Sequence, residues 1–155
     1  MEIRSESIAA DSFIDLKYAE PGVGGQNLSP QLSWTAGPEG TASYALTCFD
    51  PDAPTGSGWW HWVVTDIPAE TTSLAEGAPL PAGARSWAND YGYAGWGGPW
   101  PPPGPAHHYE FKVFAVSVPR LDVPDLATSA VARMTLSFAT LQVAAFTGLF
   151  ANPAS

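Results

Sequence analysis

Carboxylate and imidazole side chains lie close together in the stretch CFDPDAPTGSGWWHWVVTDIP, which runs from Cys48 to Pro68. Asp50 and Asp52 stand before a Gly/Ser loop, and His61 follows that loop. A second run of polar rings, HHY, begins at His107. An aspartate can orient a histidine by accepting a hydrogen bond from one ring nitrogen, which leaves the other nitrogen for a ligand. These residue types could therefore build a small polar site.

Strand geometry decides which of these side chains can meet. Adjacent residues of a strand point to opposite faces, so His107 and Tyr109 share one face of a predicted strand and His108 takes the other. We expect His61 and His107 to converge, together with the two aspartates that follow the first strand.

Four interpretations of this group are open. It could bind a phosphate-like anion through imidazole N–H, tyrosine O–H and loop amides. It could hold a metal, because two histidines and two aspartates are an acceptable ligand set, although no recognisable ligand spacing is present. It could hydrolyse a substrate, although no serine lies in a nucleophile-elbow context. Finally, the side chains could only cap loops and satisfy backbone groups.

Six of the seven tryptophans fall into two groups by position. Trp34 and Trp62 fit the inner face of a sheet. Four lie in or beside two loops, where large rings could wall a cavity or merely cover a proline-rich segment; these are Trp59, Trp60, Trp96 and Trp100.

Short strands and long loops are predicted to position these residues. Runs of β-branched and aromatic residues indicate four strands. The apolar pattern of the strand that begins at His107 predicts burial on both of its faces. A short helix fits ATSAVARM, residues 127–134, and the aromatic, Gly/Pro-rich loop Asn89–Ala106 is long enough to be functional. The predicted strands are SYALTCFD (Ser43–Asp50), WHWVVTDIP (Trp60–Pro68), HHYEFKVFAVSVP (His107–Pro119) and LQVAAFTGLF (141–150).

Length and composition fit one mainly β domain over residues 1–155. Sixteen prolines and fifteen glycines interrupt the chain and favour short strands with one or two short helices. A net charge of -9 without a basic cluster argues against nucleic-acid binding and against strong attraction to an anionic membrane. The single cysteine, Cys48, is expected to pack in the core, and the absence of a long apolar segment predicts a cytoplasmic protein.

Four motifs follow one another along the chain: NLSPQLSW (Asn27–Trp34), DPDAP (Asp50–Pro54), HWVVTDIP (His61–Pro68) and NDYGYAGWGGPWPPPGPAHHY (Asn89–Tyr109). In this order they resemble the phosphatidylethanolamine-binding protein (PEBP) family, and most of all its bacterial Raf-kinase-inhibitor-like branch. The resemblance covers nearly the whole chain, including the final LQVAAFTGLF. It implies a large central β-sheet with a smaller sheet packed on it, and a small pocket for phosphate or phosphate-like head groups.

Position by position, the resemblance assigns a set of ligand-binding residues to this chain. They are Asp50, Asp52, Pro54, His61, Trp100, Pro101, Pro102, His107 and Tyr109.

The chain also departs from the pattern of the bacterial branch. It has Trp96 where Tyr is usual, Trp100 where Cys is usual and His108 where Arg is usual. These departures favour a more apolar ligand or a modified pocket.

The interpretation that follows is a protein that binds a small anionic or phosphorylated ligand without cofactor or metal. A regulatory role fits this reading, and the resemblance allows a homodimer. One alternative is an enzyme that uses an Asp/His/Tyr pocket, walled by tryptophan, for general acid/base chemistry. A second is a protein-interaction regulator that acts as a kinase or protease inhibitor.

Overall fold

The computed structural model describes residues 1–155. The chain forms eight strands and one α-helix, with single 3-10 turns at Leu16–Tyr18 and Pro21–Val23. The longer elements agree with the strands expected from the sequence. In chain order the elements are β1 (Ile3–Arg4), β2 (Leu32–Trp34), β3 (Ser43–Asp50), β4 (Trp59–Pro68), β5 (Ser73–Leu74), β6 (Arg85–Ser86), β7 (His107–Val116), α1 (Ser129–Ala139) and β8 (Thr140–Phe150).

Two antiparallel sheets organise the molecule. The larger has the strand order β6-β4-β3-β7-β8, and the smaller has the order β1-β2-β5. One hydrophobic cluster includes residues of both sheets, among them Leu32 and Trp34 of the smaller sheet and Leu46 and Phe111 of the larger. The prediction of a mainly β fold, with a large central sheet and a smaller one packed on it, is therefore confirmed.

Strand β7 is buried on both of its faces, as its apolar pattern predicts. Tyr109, Phe111 and Val113 alternate into the cluster shared by the two sheets. Phe114 and Val116 belong to a second cluster on the other face of the larger sheet, together with residues of α1. Full burial of each such side chain contributes about 1.5–3 kcal/mol, so β7 is a rigid base for the side chains at its start.

Helix α1 begins two residues later than the sequence indicates and is longer. The side chain of Thr128 accepts a hydrogen bond from the backbone N–H of Val131, which caps the first turn. Ala132 and Leu136, one turn apart on the same face, are fully buried against the larger sheet. This packing extends the helix to Ala139, beyond the expected end at residue 134.

Antiparallel pairing brings distant parts of the chain to one edge of the larger sheet. Strand β3 pairs with both β4 and β7, so the end of β3 lies beside the beginnings of the other two strands. Asp50 directly faces Trp59 across the β3–β4 pair. The functional candidates at the ends of these strands are therefore neighbours in space although they are far apart in sequence.

Candidate ligand-binding site

His61 is the extra residue of a β-bulge in β4. Trp62 faces Cys48 and Trp60 faces Phe49, so His61 has no opposite residue on β3. A bulge redirects side chains, and bulges are frequent beside functional sites. Here Trp62 packs into the cluster between the sheets, while the ring of His61 lies 5.0 Å, centroid to centroid, from the ring of Tyr109.

A cavity of about 200 Å³ opens at this strand edge. Every site residue assigned from the sequence lines it except Asp52. Its lining consists of Asp50, Ala53, Pro54, Thr55, Trp59, His61, Tyr91, Trp100, Pro101, Pro102, His107 and Tyr109.

Asp50 orients His107 at one wall of the cavity. Its Oδ2 lies 2.7 Å from Nδ1 of His107, and its Oδ1 accepts a hydrogen bond of 2.8 Å from the backbone N–H of Asp52. Because the carboxylate is buried and both of its oxygens are engaged, Asp50 acts as a fixed acceptor. Nδ1 of His107 is held by this contact, which leaves Nε2 for a ligand.

His61 is oriented by a backbone carbonyl and not by an aspartate. Its Nδ1 lies 2.6 Å from the carbonyl oxygen of Gly97, and the N–H of Gly97 donates back to the carbonyl oxygen of His61. Since a carbonyl only accepts, Nδ1 carries the proton and Nε2 of the neutral ring is an acceptor. Burial lowers the pKa of His61 to about 4, although the hydrogen bond to Gly97 works in the opposite direction.

The expected role of Asp52 is corrected by the structure. Its Oδ2 accepts hydrogen bonds from the backbone N–H and from Nδ1 of His108, at 2.8 and 2.7 Å. The His108 hydrogen bond lowers the pKa of Asp52 below its usual value. Because His108 points to the opposite face from His107, this pair lies outside the cavity and stabilises the rim of the loop instead.

Two donors at the cavity have no partner in the protein. The phenolic O–H of Tyr109 and the indole N–H of Trp59 are buried, and neither forms a hydrogen bond. Buried polar groups are nearly always paired, because an unsatisfied donor costs about 1–3 kcal/mol. Burial also raises the pKa of Tyr109 well above its usual value, so its hydroxyl keeps its proton and remains a donor.

The cavity lining also includes Ala53, Thr55 and Tyr91, which the sequence does not predict. Tyr91 lies in the long aromatic loop, and its hydroxyl donates to the carbonyl oxygen of Gly98 at 2.8 Å. Its ring contacts those of both Trp59 and Trp100. The only signal for Tyr91 in the sequence is its place in a loop rich in aromatic residues, which does not distinguish it from its neighbours.

The four loop tryptophans have different surroundings. Trp59 and Trp100 line the cavity, as a walling role requires. Trp60 points away from the cavity and packs on Phe49. Trp96 is buried in the main cluster and donates from its indole N–H to the carbonyl oxygen of Tyr18.

No lysine or arginine lines the cavity, and Asp50 is its one carboxylate. A ligand would therefore be held by neutral donors and by imidazole, without a basic side chain. No cluster of three or more His, Cys, Asp or Glu side chains in the molecule has the geometry of a metal site.

These features define a two-sheet β protein with a ligand-sized cavity at its strand ends. Residues 4–151 match the family model described as phosphatidylethanolamine-binding protein. The chain belongs to the phosphatidylethanolamine-binding protein family, which confirms the resemblance found in the sequence.

Bacterial relatives align over most of this chain. The UPF0098 protein YbcL of Escherichia coli K12 is 40% identical over 158 residues, which cover 96% of this chain and 86% of YbcL. The UPF0098 protein YbhB of the same organism is 42% identical over 134 residues, covering 83% and 85%. The putative lipoprotein LppC of Mycobacterium tuberculosis H37Rv is 39% identical over 127 residues, which cover 81% of this chain and 61% of LppC.

Solved structures show the same fold. The crystal structure of E. coli YbcL, described as a new member of the mammalian PEBP family, superposes with a TM-score of 0.92 at 40% identity and covers 97% of both chains. The PEBP homologue CT736 of Chlamydia trachomatis superposes with a TM-score of 0.84 at 27% identity, and the match covers 96% of this chain and 95% of CT736.

No helix in this protein is long and apolar enough to cross a membrane. The cytoplasmic location stays a prediction, since one relative is named a lipoprotein.

Proposed function

We propose that this protein binds a small ligand through a phosphate or phosphate-like head group in the cavity between Asp50, His61 and Tyr109. The observation that carries the proposal is the pair of buried donors without partners, the hydroxyl of Tyr109 and the indole N–H of Trp59. Acceptor oxygens of a head group would satisfy both. Family membership supports the proposal, because the family is described by its binding of phosphatidylethanolamine.

The two histidines face the head group in different ways. His61 is neutral near pH 7, because burial lowers its pKa to about 4, so its Nε2 offers an acceptor to the cavity. The carboxylate of Asp50 lies 2.7 Å from Nδ1 of His107, which leaves Nε2 of that ring for the head group.

The Tyr109→Phe variant tests the role of the unpaired hydroxyl. Removing a hydroxyl that has no partner in the free protein should leave the free energy of unfolding unchanged or slightly higher. It should weaken phosphate binding about tenfold, the loss expected for one hydrogen bond to a charged acceptor. Affinity is measured by two-dimensional NMR titration with inorganic phosphate and phosphoethanolamine, and stability by urea unfolding.

Tyr44→Phe is the matched control. The hydroxyl of Tyr44 accepts a hydrogen bond from the backbone N–H of Gly37 at 2.9 Å, outside the cavity. This variant should lose about 1 kcal/mol of stability and keep its phosphate affinity. Absence of saturable shifts near Tyr109 with millimolar phosphate, or equal affinity in wild type and Tyr109→Phe, would contradict the proposal.

A further inference from the structure

The cavity is larger than an oxyanion head group requires. A water molecule occupies about 30 Å³ in the liquid, so a cavity of about 200 Å³ has room for roughly six groups of that size. A phosphate group has four oxygens around one phosphorus. The unpaired donors and the Asp50–His107 pair account for one part of the wall. The rest is formed by the rings of Tyr91 and Trp100 and by small or proline side chains, which are Ala53, Pro54, Thr55, Pro101 and Pro102.

These rings form a series that leads away from the polar groups. Tyr109 contacts His61, His61 contacts Tyr91 at 5.8 Å between centroids, and Tyr91 contacts Trp100 at 6.5 Å. The Tyr91 and Trp100 planes differ by only 27°. Trp100 therefore presents its ring beyond the polar groups, where the organic part of a bound ester would lie.

Trp100 is exposed but held in place. Its exposed fraction is 52%, which is large for an indole, and nothing in the protein covers that part of the ring. The indole nevertheless packs so closely on the backbone of Gly22 that a Cβ at that position would overlap it, and it stacks on Tyr91. A large apolar ring fixed in this way binds a flat partner without a further ordering cost.

The charge of the cavity also requires a contribution from the organic part of the ligand. Asp50 lines the site and no basic side chain does, so attraction of the head group alone is limited. From these observations we propose that the cavity takes a phosphate monoester of an aromatic group, whose ring stacks on Trp100. Trp100 is then the residue that selects this class of ligand. The inference rests on the proposed function, because it assumes that the head group binds near Tyr109.

Three probes on three proteins test the inference. Inorganic phosphate, hexyl phosphate and phenyl phosphate are titrated into wild type, Trp100→Ala and Trp100→Phe, with affinities measured by NMR. We expect phenyl phosphate to bind wild type roughly tenfold more tightly than phosphate does, which is the scale of one stacking contact. In each protein the affinity for phenyl phosphate is divided by the affinity for inorganic phosphate. This ratio should fall to about one in Trp100→Ala, whereas Trp100→Phe should retain most of the wild-type ratio. Phe138→Ala, which truncates an exposed ring outside the cavity, should behave as wild type.

The outcomes separate the inference from the function on which it rests. If phosphate binds near Tyr109 but phenyl phosphate gains nothing, or if its gain survives in Trp100→Ala, the inference is wrong and the proposed function stands. An equal gain for hexyl phosphate would also overturn it, because an alkyl chain needs no stacking surface. If none of the three probes binds, both the inference and the proposed function are wrong.

Discussion

At His61, burial and one hydrogen bond together determine the chemistry of the ring. A histidine followed by an apolar strand could equally be charged or neutral when only the sequence is known. The bulge in β4 places the ring in a desolvated position, and Gly97 fixes the proton on Nδ1. His61 is therefore neutral near pH 7, and its Nε2 offers an acceptor to the cavity.

The low pKa of His61 has a measurable effect on stability. Its pKa is about 4 in the folded protein against an ordinary value of 6.5, so between these values the unfolded chain holds a proton that the folded chain does not. The free energy of unfolding therefore falls as the pH drops through this range, by about 3 kcal/mol from this residue. In His61→Asn the amide can still donate to Gly97 but cannot titrate.

Urea unfolding of wild type and His61→Asn at a series of pH values measures this contribution. Other groups titrate in both proteins, so the difference between the two curves isolates His61. We expect wild type to lose about 3 kcal/mol more than the variant between about pH 7 and pH 4. Parallel curves would show that His61 titrates as an ordinary histidine and is not desolvated.

At the scale of elements, the regular alternation of side chains along a strand is predicted from the sequence. Side-chain positions that depend on a single tertiary contact are not. The alternation in β7 predicts both buried faces, and it also separates His107 and Tyr109 from His108. The same rule cannot reveal the bulge at His61, because the extra residue is defined only by its partners on β3. Likewise, the sequence does not show that Asp52 pairs with His108 instead of a cavity histidine. The turn in which the backbone N–H of Asp52 donates to Asp50 directs the Asp52 side chain away from the cavity.

The order of the loop between residues 89 and 106 depends on Asn27, which the sequence indicates only as the first residue of the motif NLSPQLSW. Asn27 lies at φ 53°, a left-handed conformation that Asn tolerates better than most residues. Its Nδ2 donates to the hydroxyl of Tyr93 and to the carbonyl oxygen of Trp96, at 3.1 and 3.3 Å. Its Oδ1 accepts from the backbone N–H of Gly98 at 2.8 Å. One side chain thus holds the segment that carries the hydrogen bond to His61.

Replacement of Asn27 should loosen this segment. We expect Asn27→Ala to lose about 2 kcal/mol of stability, from lost hydrogen bonds and left-handed strain, and to exchange the Gly98 amide hydrogen faster. Asn27→Gly relieves the strain but also lacks the side chain, so exchange at Gly98 should again be faster. Asn27→Asp keeps the acceptor for Gly98 and should preserve its protection. Protection retained in the glycine variant would show that the side chain does not hold the loop.

At the scale of the whole molecule, charge is unevenly distributed along the chain. All fifteen acidic residues precede Leu126, and Arg133 is the one charged side chain in the segment that forms α1 and β8. The acidic part of the chain includes the three strands, β3, β4 and β7, and the loops that build the cavity. The cavity therefore lies in a negative field without a basic side chain of its own, so an anionic ligand is opposed from a distance and held only at short range.

Neutralising remote acids should therefore strengthen anion binding. Glu39 and Glu70 are exposed, lie outside the cavity and form no side-chain hydrogen bond or ion pair. A charge about 20 Å away contributes about 0.2 kcal/mol in water, so the Glu39→Gln/Glu70→Gln double variant should bind phosphate about twofold more tightly at about 0.01 M salt. At about 0.15 M salt the screening length shrinks from about 30 Å to about 8 Å, and the difference in phosphate affinity between the two proteins should vanish.

Comparing the two proteins at each salt concentration cancels any competition from chloride. A variant that binds phosphate no better than wild type at low salt would mean that the distant charges do not reach the cavity and that only its lining residues determine its affinity for anions.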